Sequence, residues 1–417
     1  MCLLTADFVN PSERAAPEKV PDSTTRENTA IPAISSVSRS VIWIVSLKKP
    51  GVTKIPDCAQ HSDPEHFGPS YSRWNGTEVI MRAVELQAFG SGGLRILERP
   101  VPTVRAGEAL IRVRAAALNY RDLEIAAGRY GMPVSLPRTP LSDAVGEIVD
   151  LGADTSRFAK GDFVNLTFFP DWIDGEFRAE YFARQRGSST DGVLSEYVLA
   201  HETELVRAPA NLKDESAGLP VAGLTAWVAL SEAALQPGQT VLVIGTGGVS
   251  LFALQLATLF GAQPIVVSSS DHRLERALRL GALAAINYRR TPEWGREVRE
   301  LTSGRGVDVV IETGGAATLP QSTAALRPGG HIAMVGYLGG AELRLDLREL
   351  FIGKRARVHG HTVGSRRQLE ALNRAVELNR LVPVVDSRYP IDDVEGAYER
   401  LRSTEAFGKV LITLQPD

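Results

Sequence analysis

The spacing of apolar and polar residues changes character along the chain. From Met81 it is short and alternating. MRAVEL (81–86) alternates, EALIRVRAAALN (108–119) does so in its first half, and AVGEIVDLGADTSRFAKGDFV (144–164) gives two β-rich runs joined by turn residues. GVLSEYVLA (192–200) adds another. Short strands punctuated by Gly, Asp and Pro predict a small barrel rather than helices. From about Val221 the rhythm shifts. Strands are predicted at Val241–Ile244, Ile265–Val267, Ala284–Asn287, Val307–Glu312, His331–Val335 and Arg357–Gly360. Between the first two, Val249, Phe252, Ala253, Leu256, Ala257 and Phe260 mark one face of a helix, and Gly261 stands where a helix C-terminus favours glycine. Six short strands in βαβ alternation predict a doubly wound parallel sheet.

Before Met81 no period of 2 or 3.6 is sustained. Eight of the chain's 24 prolines fall there, with Ser, Thr, Asn and Asp between them. Such a composition buries too little apolar area to offset chain entropy. Residues 1–80 therefore read as a disordered extension or an over-extended start with Met81 as initiator; a regulatory arm is the other reading. The run Val41–Val45 is far shorter than the ~20 residues that span a bilayer, and Asp7, Glu13 and Glu18 are unlike a transit peptide.

The length of 417 residues predicts two or three domains at roughly 100–200 residues each. Hydrophobic residues make up 44% and charged residues 23%, which excludes a wholly disordered chain. With Lys+Arg 46 against Asp+Glu 49 and no block of like charge, neither a nucleic acid nor a membrane surface is indicated as a partner. The 2 cysteines, Cys2 and Cys58, fit a reducing cytoplasm. Because both precede Met81, a Cys-ligated zinc, an iron–sulfur cluster or a CxxC site is excluded from the rest of the chain.

The sharpest motif is VLVIGTGGVS (241–250), in which a strand runs into glycines and a helix begins at once. Gly245 permits the tight turn. Gly247 lets backbone approach a pyrophosphate, and the amides of the following helix, from Gly248 and Val249 on, point at the anion. Ser250 takes the third glycine position of GxGxxG. This context inside a βαβ unit predicts a dinucleotide site. At the end of the second strand, where an acidic residue would select NAD, the sequence reads VVSSSDHR (266–273). Ser268, Ser269 and Arg273 suit the 2′-phosphate of NADP, with NAD the alternative; Asp271 is assigned to capping the next helix.

The strand-rich first part, together with LPVAGLTAWVAL (219–230), GTGGVS, SSSDHRLERALRLGA, INYRR, GRGVDVVIETGG and the terminal FGKVLI, resembles the medium-chain dehydrogenase/reductase superfamily, in its zinc-independent alcohol dehydrogenase and quinone-oxidoreductase-like branches. The resemblance covers 81–417. It implies an α/β chain with a GroES-like β-barrel catalytic domain over 81–220, completed by 362–417, and a Rossmann domain over 221–361. It also implies a cofactor in the cleft between them and a homodimer or homotetramer. Cofactor contacts carried over by motif are Thr225, Tyr288, Gly314, Gly336 and Lys409, with Arg366 as a second basic candidate.

Where zinc-dependent relatives carry ligands, this chain has Asn119, Ser142 and Val221, a poor set for zinc. The close pair His359-Gly-His361 reads as a strand end. The expectation is chemistry without zinc: hydride transfer between NADPH and a carbonyl, enone or quinone, with Asn119 and Tyr120 as pocket residues and Asp122 and Asp143 as candidate bases or structural groups. A nucleotide-binding or sensing protein without turnover is the alternative. The aromatic stretch 166–192 reads as a substrate-covering loop or a packed lobe.

Overall fold

The computed structural model describes residues 73–74, 77–342 and 346–414, all within the compact unit His66–Asp417. The expectations made for the proline-rich stretch up to residue 72 lie outside the described residues.

The first lobe is β-rich. β1 (Ile80–Leu86) and β2 (Leu94–Pro100) form an antiparallel hairpin. β3 (Glu108–Ala117) leads into the short helix α1 (Tyr120–Ala126), and then come β4 (Asp143–Leu151), β5 (Phe163–Leu166), β6 (Tyr197–His201) and β7 (Leu205–Arg207). β3 is the hub, pairing antiparallel with both β4 and β6. Its alternation fades after Val113 because the register against β4 shifts between Val113 and Ala115. Such a bulge turns successive side chains to a different face. Ile111 and Val113 join the core of Ile148, Val164 and Leu194, whereas Ala115 and Ala117 pack with Val145, Ala217 and Leu411.

α2 (Leu224–Glu232) opens the second lobe. There follow β8 (Thr240–Ile244), α3 (Gly248–Leu259), β9 (Gln263–Ser268), α4 (Asp271–Arg279), β10 (Ala284–Asn287), α5 (Trp294–Leu301), β11 (Val307–Glu312), α6 (Leu319–Ala325), β12 (Leu326–Met334) and β13 (Arg357–Gly360). The strands are all parallel in the order β10-β9-β8-β11-β12-β13, the doubly wound sheet expected. Odd positions such as Val241, Val243 and Ile311 pack under α2 and α3, while Leu242, Ile244 and Val310 face the opposite layer. Each such side chain contributes about 1.5–3 kcal/mol by leaving water. Three strands start and end at the predicted residues. β12 begins earlier than predicted, at Leu326, because Val307 pairs with Leu326 before the register shifts to Val309 and His331.

The chain then returns. α7 (Arg366–Leu378), β14 (Val385–Pro390) and α8 (Val394–Arg402) precede β15 (Lys409–Thr413). β15 pairs parallel with β14 and antiparallel with β3, Leu411 opposite Ala117. The last strand is thus built into the first lobe.

Candidate active site

The loop between β8 and α3 has the shape a pyrophosphate requires. Gly245 lies at φ +81°, a left-handed turn that favours glycine. Gly247 caps α3 in an extended conformation, and among the described residues no atom lies within 4 Å of where its Cβ would point. Gly248 and half-buried Val249 follow in the first turn of α3, where helix amides lack intrahelical partners. Gly248 makes room for a lysine stem, since a Cβ there would come 2.9 Å from Lys409 Cδ. Ser250 Oγ donates to Ile244 O at 2.7 Å and Thr313 Oγ1 to the same carbonyl at 2.8 Å, which ties the strand end beneath the loop. These features fit a dinucleotide.

At the end of β9, Ser268 is buried with its Oγ 3.5 Å from Thr246 Oγ1. Tyr288 N donates to Ser268 O at 3.1 Å, and Arg273 Nη2 donates to Ser269 Oγ at 2.9 Å. Ser268, Ser269, Arg273 and Tyr288 are therefore neighbours. The expected cap on α4 is corrected. Ser270, in extended conformation, accepts from Arg273 N, and Asp271 is already helical. Asp271 instead accepts from Asn287 Nδ2 at 2.7 Å and pairs with Arg290. Arg290 is a cation beside this edge that sequence reasoning passed over, although INYRR displayed it. Gly314 and Gly336 follow β11 and β12; Gly314 N donates to buried Glu312, and a Cβ on Gly336 would meet Thr313 O at 2.8 Å. Thr225 is buried in the first turn of α2.

The barrel side meets this loop through β15. Gly408 N donates to Thr246 O at 3.1 Å. Lys409 then passes its methylenes between Gly218 and Gly248. Its Nζ donates to Leu118 O and to Asn119 Oδ1, each at 2.7 Å, and lies 3.5 Å from Asp143 Oδ2. Lys409 thus touches the nucleotide loop with its stem, and its ammonium is directed to the barrel rather than to a phosphate. Burial pushes that ammonium's pKa down, while Asp143 and Asp122 push it back up.

Asn119 Nδ2 donates to Asp143 Oδ2 at 2.9 Å. With Oδ1 on the ammonium and Nδ2 on the carboxylate, the amide has one orientation and one remaining N–H. Burial raises the Asp143 carboxyl to about 6, against the lowering pull of Lys409 and Asn119. Asn119 N donates to Asp122 Oδ2 at 2.7 Å, so Asp122 caps the start of its own helix. Burial raises Asp122 as well, with Arg121 and the Asn119 amide opposing. Ser142 Oγ is buried without a protein partner among the described residues, and Val221 packs in the core beside α2.

Tyr120 begins α1 and is 40% exposed. Tyr337, from the loop after β12, has its hydroxyl pKa raised by burial and by Tyr130, Glu124 and Tyr120 nearby. Tyr130, Tyr337 and Arg121 were not singled out by sequence reasoning, since no local spacing joins them. Arg121 is held by Gln185, Ser188 and the Arg186 carbonyl at 3.0–3.1 Å, and lies over the rings of Tyr130 and Phe168. The aromatic stretch is a packed lobe. Phe169 and Phe177 contact each other, and each contacts both Trp172 and Phe182, with centroids 5.0–6.1 Å apart. Arg366 donates to Thr203 O at 3.0 Å and lies beside Glu370, so it serves the junction of α7 with the barrel.

This geometry agrees with what known proteins share with the chain. The alcohol dehydrogenase GroES-like domain model matches residues 105–210, and the zinc-binding dehydrogenase model matches 248–377. A zinc-type alcohol dehydrogenase-like protein of Schizosaccharomyces pombe is 40% identical over 344 residues, covering 81% of this chain and 99% of its own. A quinone oxidoreductase of Pongo abelii is 29% identical over 349 residues, 81% of this chain and 99% of its own. The crystal structure of a thermostable alcohol dehydrogenase from Pyrobaculum aerophilum superposes with a TM-score of 0.70 at 31% identity, over 81% of this chain and 100% of that one. The chain belongs to the medium-chain dehydrogenase/reductase superfamily, among its alcohol dehydrogenases and quinone oxidoreductases. It is an oxidoreductase.

Proposed function

We propose that this protein is a zinc-independent, NADPH-dependent reductase of conjugated carbonyls, quinones and enones above all. The observation that carries this reading is the Lys409 ammonium, 2.7 Å from Asn119 Oδ1. Asn119, Ser142 and Val221 stand where zinc ligands would be expected. Val221 has no donor atom, and an ammonium hydrogen-bonded to Asn119 would repel a dication placed there.

NADPH supplies the hydride when bound. Residues 245–248 would hold its pyrophosphate, and Ser268, Ser269 and Arg273 would hold the 2′-phosphate. Lys409 and Asp143 fix the Asn119 amide so that its remaining Nδ2 hydrogen donates to the substrate oxygen. As hydride adds to the β-carbon of an enone, negative charge grows on that oxygen, and a preorganised donor stabilises it. Water then protonates the α-carbon. Asn119 is the catalytic residue; Lys409 and Asp143 are positioning residues.

The test is NADPH oxidation measured across quinones, enones, aldehydes and alcohols, with and without a chelator. Turnover of the conjugated substrates, insensitive to the chelator, is expected. NADPH binding with no turnover of any substrate would point to a nucleotide-binding protein instead. Activity lost to the chelator and restored by zinc would overturn the zinc-free reading.

A further inference from the structure

The edge of the parallel sheet gathers three histidines and a glutamate. β13 is the outer strand, three strands from β8, about 14 Å away at ~4.8 Å per strand. Ala333 of β12 is opposite His359, and His331 is opposite Arg357. Positions two apart share a face, so His331 and His359 lie on the face that Ala333 shares with α2. His361 follows at the end of β13 and donates its backbone N–H to Met334 O. Glu232, the last residue of α2, ends over this face. Its Oε2 lies 3.1 Å from His359 Nδ1 and 3.5 Å from His361 Nδ1.

We infer that Glu232, His359 and His361 bind one divalent transition-metal ion of the zinc class, at the sheet edge and separate from the catalytic cleft. One ligand atom from each residue lies within 4.8 Å of the others, close enough for a single ion to draw them together. A carboxylate beside two imidazoles could be a hydrogen-bonded group and nothing more. Two further features set this cluster apart from an ordinary surface pair. The His361 side chain is 1% exposed, yet its Nε2 has no protein partner among the described residues. His331 is also buried, and neither of its ring nitrogens has a protein partner among those residues. Its ring centre is 6.3 Å from that of His361 and 6.5 Å from that of His359. Buried polar atoms without partners are rare and call for a cause.

Two imidazoles and a carboxylate suit Zn²⁺, Ni²⁺ or Cu²⁺ better than Mg²⁺ or Ca²⁺. On binding, the ion displaces whatever proton lies between Glu232 and the imidazoles, which passes to solvent. Three protein ligands leave a fourth position for water, and His331 stands behind them. The ion would fasten the exposed strand β13 to the end of α2.

Chelator-stripped full-length protein titrated with Zn²⁺ alone should bind one ion per chain calorimetrically. Co²⁺ should give visible absorption bands. His359→Ala should lower Zn²⁺ affinity at least about tenfold; His359 is 57% exposed, so this variant should fold, and Glu232→Gln supplies a second check. Reductase activity should be the same in His359→Ala and wild type. No saturable Zn²⁺ binding, or equal affinity in His359→Ala and wild type, would overturn the site. Binding lost in Asp143→Asn but kept in His359→Ala would place the ion in the cleft, overturning both this site and the zinc-free reading of catalysis.

Discussion

Asn119 shows how much a single side chain depends on its surroundings. In isolation its amide could turn either way; between Lys409 and Asp143 it cannot. Asn119→Ala should therefore lower kcat by about 10²–10³, the loss typical of one oxyanion donor. NADPH affinity, followed by fluorescence titration, should be unchanged. A pH dependence follows from Asp143. Its carboxyl rises from 3.8 to about 6 in the folded protein. The folded state thus prefers the protonated acid, a stabilisation complete below the unfolded value and lost as pH rises through about 6. Above that point the carboxylate persists, facing Lys409, and holds the Asn119 amide. The kcat/KM profile should fall with a one-proton slope below about pH 6, and Asp143→Asn should abolish that limb. Asn119, Asp143 and Lys409 were each visible as candidates in the sequence. Their pairing was not, because Asn119 and Lys409 are 290 positions apart and no periodicity connects them.

At the scale of elements, the glycine loop separates two requirements that the sequence displays as one motif. Gly247 borders open space, and Gly248 borders a lysine stem. Gly247→Val should weaken NADPH binding at least about a hundredfold, roughly 2.7 kcal/mol, by filling the place of the pyrophosphate. An unchanged circular dichroism spectrum would show that the fold persists. Ser268 ends β9 where an acidic residue would be needed to bind a ribose hydroxyl. Ser268→Asp should raise the ratio of kcat/KM for NADH over NADPH at least about tenfold, since a carboxylate accepts from a ribose hydroxyl and repels a phosphate. The buried strands of the second lobe were legible because both faces are covered and their apolar runs are continuous. The caps were less so. Ser270 and Asp271 are equally good capping types, and only backbone conformation separates them. The bulge in β3 was also hidden, as AAALN carries too little contrast to show a change of face.

On the scale of the whole molecule, a few residues hold the lobes in register. Gly408 lies at φ +102°, and a Cβ there would run into the Val384 carbonyl. Its N–H meets the nucleotide loop at Thr246, and the next residue is Lys409. Gly408→Ala should cost about 1–3 kcal/mol of stability in denaturant unfolding. It should also weaken NADPH binding, although the residue lies outside the loop. The two architectures were readable from local patterning, whereas the closure of one by the chain's return was not, being a contact between distant segments. That return sets a timetable for the nascent protein. Ala115–Ala117 leave the ribosome early, but Leu411–Thr413, their sheet partners, are made nearly three hundred residues later. Until then the Ala115–Ala117 stretch of one edge of the central strand is unpaired, and the lysine's buried berth is open. The nucleotide-binding lobe can fold as it emerges, since its strands pair among themselves. The Asn119 amide gains its cation only when the last strand docks, so the parallel sheet can be complete before the contacts among Lys409, Asn119 and Asp143 exist.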